Sequence, residues 1–298
     1  MAATRHDFSV VIPAHNEAAV IERCLRALQS DPAISPEIVV ACNGCKDETA
    51  AIARRVAPEA TVLDIARGSK ILALNEGNAA ASACPRFFLD ADIVVSPRSL
   101  AAVARVLGED GPIKAAAPAL DVDLAGCSWP VRAYYKVWLQ QPYVRVGMVG
   151  SGLFGLSASG LAEVGTFPDV VADDLYVRTR FAPEQRMRVE RDAQGAPVSF
   201  TVFPPRDLRS LVRIESRRRA GDMQLKLSTH DTEHTARTTT GGSLLSALGR
   251  ESGAHGRVGL LDLAWYLGIK IAGRHLARRT IRAKKQIVWE RDDSSRTG

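Results

Sequence analysis

The chain holds 298 residues, 46% of them hydrophobic, which suffices for one large α/β domain or two small ones. No charge-free apolar run reaches the about 18 residues of a membrane-spanning helix. The net charge of +6 is matched by Arg274, Arg278, Arg279, Arg282, Lys284 and Lys285 alone. A uniformly basic, nucleic-acid-binding surface is thereby excluded, and a local anionic partner is expected instead.

Near the start, Ser9 to Ala14 is too short an apolar stretch for a secretory signal core, so a cytoplasmic protein is expected. The five cysteines should then be reduced. Ser9 to Pro13 reads as a strand stopped by proline. From Glu17 the apolar residues Val20, Ile21, Cys24, Leu25 and Leu28 recur at helical spacing. Glu37 to Cys42 is a second strand, continuous enough to be buried on both faces. Asp47 or Thr49 can start a helix carrying Ile52, Ala53 and Val56. Thr61 to Ile65 is a third strand, and Lys70 to Ala83 a third helix. Phe87-Phe88-Leu89 follows Pro85 as a brief buried strand. Ser96-Pro97 then supplies an N-cap and a proline at the first helical position. Ile113 to Pro118 is a fifth strand. Strand starts recurring roughly every 25 residues, with helices between, predict a doubly wound, mostly parallel sheet.

In such sheets ligands bind beyond the carboxyl ends of the strands. Four successive strands deliver polar loops there: Ala14-His15-Asn16-Glu17, Asn43 to Asp47, Arg67 to Lys70, and Asp90-Ala91-Asp92. Residues i and i+2 of an extended segment point the same way, so Asp90 and Asp92 can face one point. Two hard oxygen ligands at a strand end suit Mg²⁺ or Mn²⁺ bridging to phosphate oxygens.

Val10 to Glu17, Arg67-Gly68-Ser69-Lys70 with Ala73 to Gly77, and Leu89 to Asp92 form an ordered set over residues 8–95. That set resembles the family 2 glycosyltransferases, whose nucleotide-sugar domain is of the GT-A type. The resemblance implies an inverting, metal-dependent transfer from a nucleoside-diphosphate sugar to an acceptor hydroxyl, in cell-surface polysaccharide or glycolipid synthesis. Asp90 and Asp92 would hold Mg²⁺ or Mn²⁺, Asp92 more directly. Lys70 would meet the pyrophosphate, and Asn43 with the Pro13-Ala14-His15-Asn16-Glu17 loop the nucleoside. The family usually has an acid at the end of the second strand, where this chain has Cys42 and Asn43.

Further on, the family carries an acidic pair followed by spaced apolar and Arg-apolar positions. Asp174, Val177, Arg180 and Phe181 fit that pattern, with Asp173 in place of the more frequent Glu. The resemblance makes Asp174, or by one position Asp173, the base that deprotonates the acceptor. The same acids also suit a helix N-terminus. Gly150-Ser151-Gly152-Leu153-Phe154-Gly155 fits G-x-G-x-x-G but lies mid-chain with a poor helix start after it, so a dinucleotide site is not expected. The family reading makes Gly152 a close approach of backbone to donor and acceptor.

Cys42-x-x-Cys45 has no second such pair, and His230-x-x-x-His234 lies among Ser, Thr and Gly without the Glu of a zinc protease, so neither predicts a metal site. Arg206 to Arg219 predicts an amphipathic helix with a basic face, either solvated or, as the resemblance to the family implies, closing over the donor pyrophosphate. Val258 to Ile271 leads into the basic run as an interfacial helix for anionic lipid, or as a packing or dimer helix. The chain therefore divides into residues 1–205, nucleotide-sugar-binding and catalytic, and residues 206–298, a helical basic extension at the inner face of the plasma membrane. Lipid-linked acceptors are common in the family. The alternatives are a nucleotidyltransferase, though the first loop lacks the Gly-rich basic sequence it would need, and a membrane-docked nucleotide-sugar-binding protein without turnover.

Overall fold

Alternation along the first strands sets the layering. In β1 (Ser9–Ala14), Val10 and Ile12 point to one face and Val11 to the other, and all are buried. β2 (Glu37–Asn43) repeats the pattern with Val40 and Val39, and β4 (Arg86–Leu89) with Phe87 and Phe88. A sheet apolar on both faces must be covered on both, which is how strands of a parallel βα chain come to be almost continuous in Val, Ile and Phe. A computed structural model describes residues 6–108, 111–145, 150–169, 173–228, 244, 246–252 and 255–282.

On one face lie α1 (Ile21–Leu28), α2 (Thr49–Val56) and α4 (Pro97–Gly108), which contribute Ile21, Leu25, Ala53, Leu100 and Val103 to the core with Val10, Ile12 and Phe87. The other face takes α3 (Lys70–Ala80), α7 (Ala158–Val164) and α8 (Asp173–Arg180) through Ile71, Leu74, Val164 and Val177. Ser96 caps α4 as its sequence predicts, its hydroxyl accepting from Ser99 N at 3.1 Å.

Among the described residues the sheet has nine strands: β3 (Thr61–Ile65), β2, β1, β4, β7 (Leu153–Leu156), β6 (Ala115–Val122), β9 (Ser199–Val202) and β5 (Val94–Val95) in that order, with β8 (Arg186–Val189) paired to β6. β3, β2, β1 and β4 are mutually parallel. The expected fifth strand exists as β6, but it does not lie beside β4. The glycine-bearing stretch Leu153–Leu156 takes that place, antiparallel to both neighbours. Periodicity over four residues is too short a signal for such a strand, and the same holds for β5, β8 and β9.

Phe88 stacks on Phe154 (5.1 Å) and meets Phe167 edge-on (5.0 Å). Phe88→Ala should therefore cost about 3–5 kcal/mol in urea unfolding, as for other large-to-small changes at packed aromatics. A loss below about 1 kcal/mol would mean that the neighbours collapse onto the gap.

Of the described residues, those within 1–121, 148–169 and 173–202 form one compact unit, and those within 122–147 and 203–298 the other. The second unit thus draws on the middle of the chain as well as on the part beyond 205. Among the described residues its helices are α5 (Trp129–Trp138), α6 (Pro142–Arg145), α9 (Leu208–Ser228) and the long α10 (Leu260–Arg282). Tyr134 of α5 stacks on Tyr266 of α10 (5.1 Å), which explains why α5 belongs with this unit. Glu215 of α9 is buried against Lys270 (2.6 Å) and Arg218 (3.5 Å). Burial alone would raise its carboxyl, but the two cations outweigh that and hold it below the usual range.

No described helix is long and apolar enough to cross a membrane. Lys284, Lys285, His230, His234 and the Thr238–Gly242 stretch lie outside the described residues.

Candidate active site

The loops after β1, β2 and β3 are tied into one edge by buried polar bonds. Asn43, at the end of β2, is 1% exposed. Its Nδ2 donates to Ala14 O (2.9 Å) and its Oδ1 accepts from Ser69 N (3.0 Å), so one side chain joins three loops. His15 Nδ1 lies 2.5 Å from Asn43 O. Asn16, in the left-handed region at φ 56°, accepts from Lys46 N at 2.7 Å. Glu17 N donates to Thr49 Oγ1 (2.7 Å), and the Glu17 residue is buried. Pro13 sits inside β1, opposite Ala41. The polar residues predicted for the nucleoside are therefore gathered at one place, with the Asn43 amide already used in holding the loops together.

Ser69 caps α3 through Leu72 N, which projects Lys70 from the first turn. Lys70 Nζ lies 2.7 Å from Asp90 Oδ1 and 3.0 Å from Asp173 Oδ2. Burial alone would lower the Lys70 pKa, but Asp173, Asp90 and Asp174 together raise it well above the ordinary lysine value. Burial pushes the Asp173 carboxyl up, and Lys70 pulls it part of the way back.

Asp174 is one residue further on. Its Oδ2 accepts from Gly152 N at 3.1 Å, while Oδ1 is shut from solvent with no hydrogen-bond partner among the described residues. Burial first, and then the charge of Asp173, push Asp174 up to about 7.

The Gly150-Ser151-Gly152 segment clamps these acids. Gly152 gives its N–H to Asp174, and its carbonyl takes Asp90 N at 2.7 Å. At Gly152, φ is +90°, and a Cβ would stand 2.4 Å from Ile93 Cδ1 and 3.0 Å from Asp90 Oδ2. Gly150, at φ +119°, would drive a Cβ to 2.9 Å from the Asp174 Cβ. Only glycine meets both demands. The sequence signal was the glycine run, and a backbone clamp on two acids from different elements is what it builds.

The D-x-D segment departs from the expected geometry. β4 ends at Leu89, and Asp90 to Ile93 is a turn closed by Ile93 N to Asp90 O at 3.2 Å. The two carboxylates are thus presented by a turn, where the alternation of an extended strand does not apply. Asp90 faces Lys70. Asp92 lies toward α1, where its carbonyl accepts from Arg23 Nη2 (3.2 Å) and its charge adds to burial in raising the Cys24 thiol. The structure brings together Lys70, Asp90, Asp173, Asp174 and Gly152. The close pairing of Lys70 with Asp173 had no signal in the sequence.

Residues 9–140 match the family model for glycosyl transferase family 2. No curated protein matches the chain. Among solved structures, the mannosyltransferase PcManGT from Pyrobaculum calidifontis in complex with GDP-Man and Mn²⁺ is 18% identical at a TM-score of 0.52, covering 94% of this chain and 76% of that one. Glucosyl-3-phosphoglycerate synthase from Mycobacterium tuberculosis in complex with phosphoglyceric acid is 20% identical at 0.52, with coverage of 74% and 79%. The same enzyme with Mn²⁺, UDP-Glc and glycerol 3-phosphate gives 19% and 0.51, with the same coverage. Likeness at this level of identity is likeness of fold, and the shared fold is the mostly parallel GT-A sheet with its helical companion. Residues 9–140 therefore match the glycosyl transferase family 2 model, and the chain shares the GT-A fold of the glycosyltransferases it resembles.

Proposed function

We propose that the protein transfers a sugar, with inversion, from a nucleoside-diphosphate donor to an acceptor hydroxyl, with Asp174 as the base and Mg²⁺ or Mn²⁺ at Asp90 and Asp92. The observation that carries this reading is the Asp174 carboxyl, raised to about 7 and fixed by Gly152 N–H beside the Lys70–Asp90–Asp173 group. A base with a pKa near the working pH is half ready to accept a proton and still strong enough to take it.

The donor set fits a hard divalent cation. Asp90 and Asp92 supply carboxylate oxygens, the hard ligands that suit Mg²⁺ or Mn²⁺. Among the described residues no group of three His, Cys, Asp or Glu forms a ready cage. Diphosphate oxygens and water would complete the shell, as is usual for Mg²⁺. When bound, the cation supplies positive charge against the departing diphosphate. PcManGT with GDP-Man and Mn²⁺, and the mycobacterial synthase with UDP-Glc and Mn²⁺, support this class of donor.

The chain's own residues do the rest. Lys70, held at the edge by two carboxylates, can turn its ammonium to the diphosphate and stabilise developing charge there. The Pro13–Glu17 loop would face the nucleoside, with Asn43 fixing the loop from behind. Gly152 lets backbone approach the sugar and holds Asp174 in line with the acceptor hydroxyl.

Calorimetry with UDP- and GDP-sugars tests the donor and metal parts. Binding should be measurable with Mn²⁺, and should fall below detection in EDTA and in Asp92→Ala. Unchanged affinity in EDTA would remove the metal from the proposal.

A further inference from the structure

α10 buries one stripe, Asp262, Tyr266, Ile269, Gly273 and Ala277, at spacings of three and four. The opposite face changes character along the helix. Over the first three turns it is apolar, with Leu260 72%, Leu261 69% and Ile271 67% exposed, and Leu267 exposed beside them. Over the following turns it is basic, with Arg274, Arg278 and Arg279 exposed. The sole acid of the helix, Asp262, is buried, where it accepts from Gly259 N (2.9 Å) and pairs with Lys136 (3.4 Å). At the apolar end Trp265 meets Trp129 edge-on at 5.9 Å, and Trp129 is half-exposed.

Large apolar side chains exposed to water, continued by arginines with no acid among them, form a surface that suits a partner both apolar and anionic. We infer that the outer face of α10 docks on an anionic phospholipid bilayer, lying in the interface with Leu260, Leu261, Leu267 and Ile271 at acyl depth and Arg274, Arg278 and Arg279 at the phosphates. The tryptophan pair sits where aromatic rings favour the headgroup boundary. A second copy of the chain fits less well, because its own α10 presents no exposed acid to pair with these arginines. At about 1.5 Å per residue the helix is long enough to lie along the surface over its whole length, while its composition bars it from spanning. This docking is independent of the transfer reaction and of the residues proposed for it.

The test is flotation of the full chain with vesicles of phosphatidylcholine alone and of phosphatidylcholine with phosphatidylglycerol, at low and high salt, together with sedimentation velocity without lipid. The chain should float with the anionic vesicles alone, and less at high salt, since the screening length is only about 8 Å at physiological ionic strength. Each basic residue near such a surface contributes roughly fivefold in affinity, so the Arg274→Gln/Arg278→Gln/Arg279→Gln variant should lose about a hundredfold. Leu260→Glu/Ile271→Glu should abolish flotation with an unchanged melting temperature, because both side chains are mostly in water already. Failure of the parent chain to float with phosphatidylglycerol at low salt overturns the inference. So does a parent dimer that Leu260→Glu/Ile271→Glu converts to monomer, since the face would then be a self-contact.

Discussion

Asp174→Asn should lower kcat by about 10²–10⁴-fold, leave nucleoside-diphosphate affinity nearly intact, and make the protein harder to melt at pH 8. The first two effects follow from a base that touches only the acceptor hydroxyl in the transition state. The third follows from the environment. Burial, and then the neighbouring Asp173 charge, raise the carboxyl from its ordinary 3.8 to about 7, against the pull of Lys70 and Gly152 N–H. The folded chain thus keeps a proton that the unfolded chain has lost. Stability from this source is full below about pH 4 and is lost as pH rises through about 7. Asn cannot ionise, so the advantage of the variant should be absent at low pH and grow across that window. At about 1.4 kcal/mol for each tenfold change in proton affinity, it amounts to a few kcal/mol at pH 8. For the parent enzyme, kcat/KM should rise with pH across the same range. Activity retained in Asp174→Asn but lost in Asp173→Asn would exchange the two roles.

How far the sequence reaches is visible in these residues. The strands β1, β2 and β4 could be read because each is apolar on both faces, and β3, half-covered at the sheet edge, because Val62, Leu63 and Ile65 follow a helix of regular spacing. Their loops could then be placed at one edge because strands joined through helices run parallel and end on the same side. Lys70, Asp90, Asp173 and Asp174 do meet there. Three features lay beyond the reach of pattern. The D-x-D was expected to be extended, but Ile93 folds back onto Asp90 O in a turn, a choice made by a single hydrogen bond. Asn43 was expected to face the nucleoside, yet its amide is used up by Ala14 and Ser69, a tertiary pairing with no local signature. The membership of α5 in the second unit depends on Tyr134 reaching Tyr266, 132 positions along the chain, a contact that no periodicity encodes.

Lys70→Met should destabilise the protein by about 3–5 kcal/mol at pH 8, the usual cost of leaving a buried charge without its partner, and by much less at pH 5. In the parent, one ammonium answers both Asp90 and Asp173, and Lys70 stays charged throughout this range because its pKa is held above the ordinary value. The groups that titrate in the variant are the carboxylates. Asp173 is already pushed up by burial, with Lys70 as the largest influence in the other direction. Without that cation its pKa rises further, so it takes a proton on mild acidification and the uncompensated charge disappears. The loss must then deepen as pH rises. An equal loss at pH 5 and pH 8, read by thermal unfolding, would assign it to packing of the lysine stem instead. The same scan with Mn²⁺ separates the structural role of Lys70 from the metal proposal. With the ammonium gone from Asp90 Oδ1, a divalent cation meets less competition, so Mn²⁺ should raise the melting temperature of Lys70→Met more than that of the parent. Adding Asp90→Ala should cancel that difference.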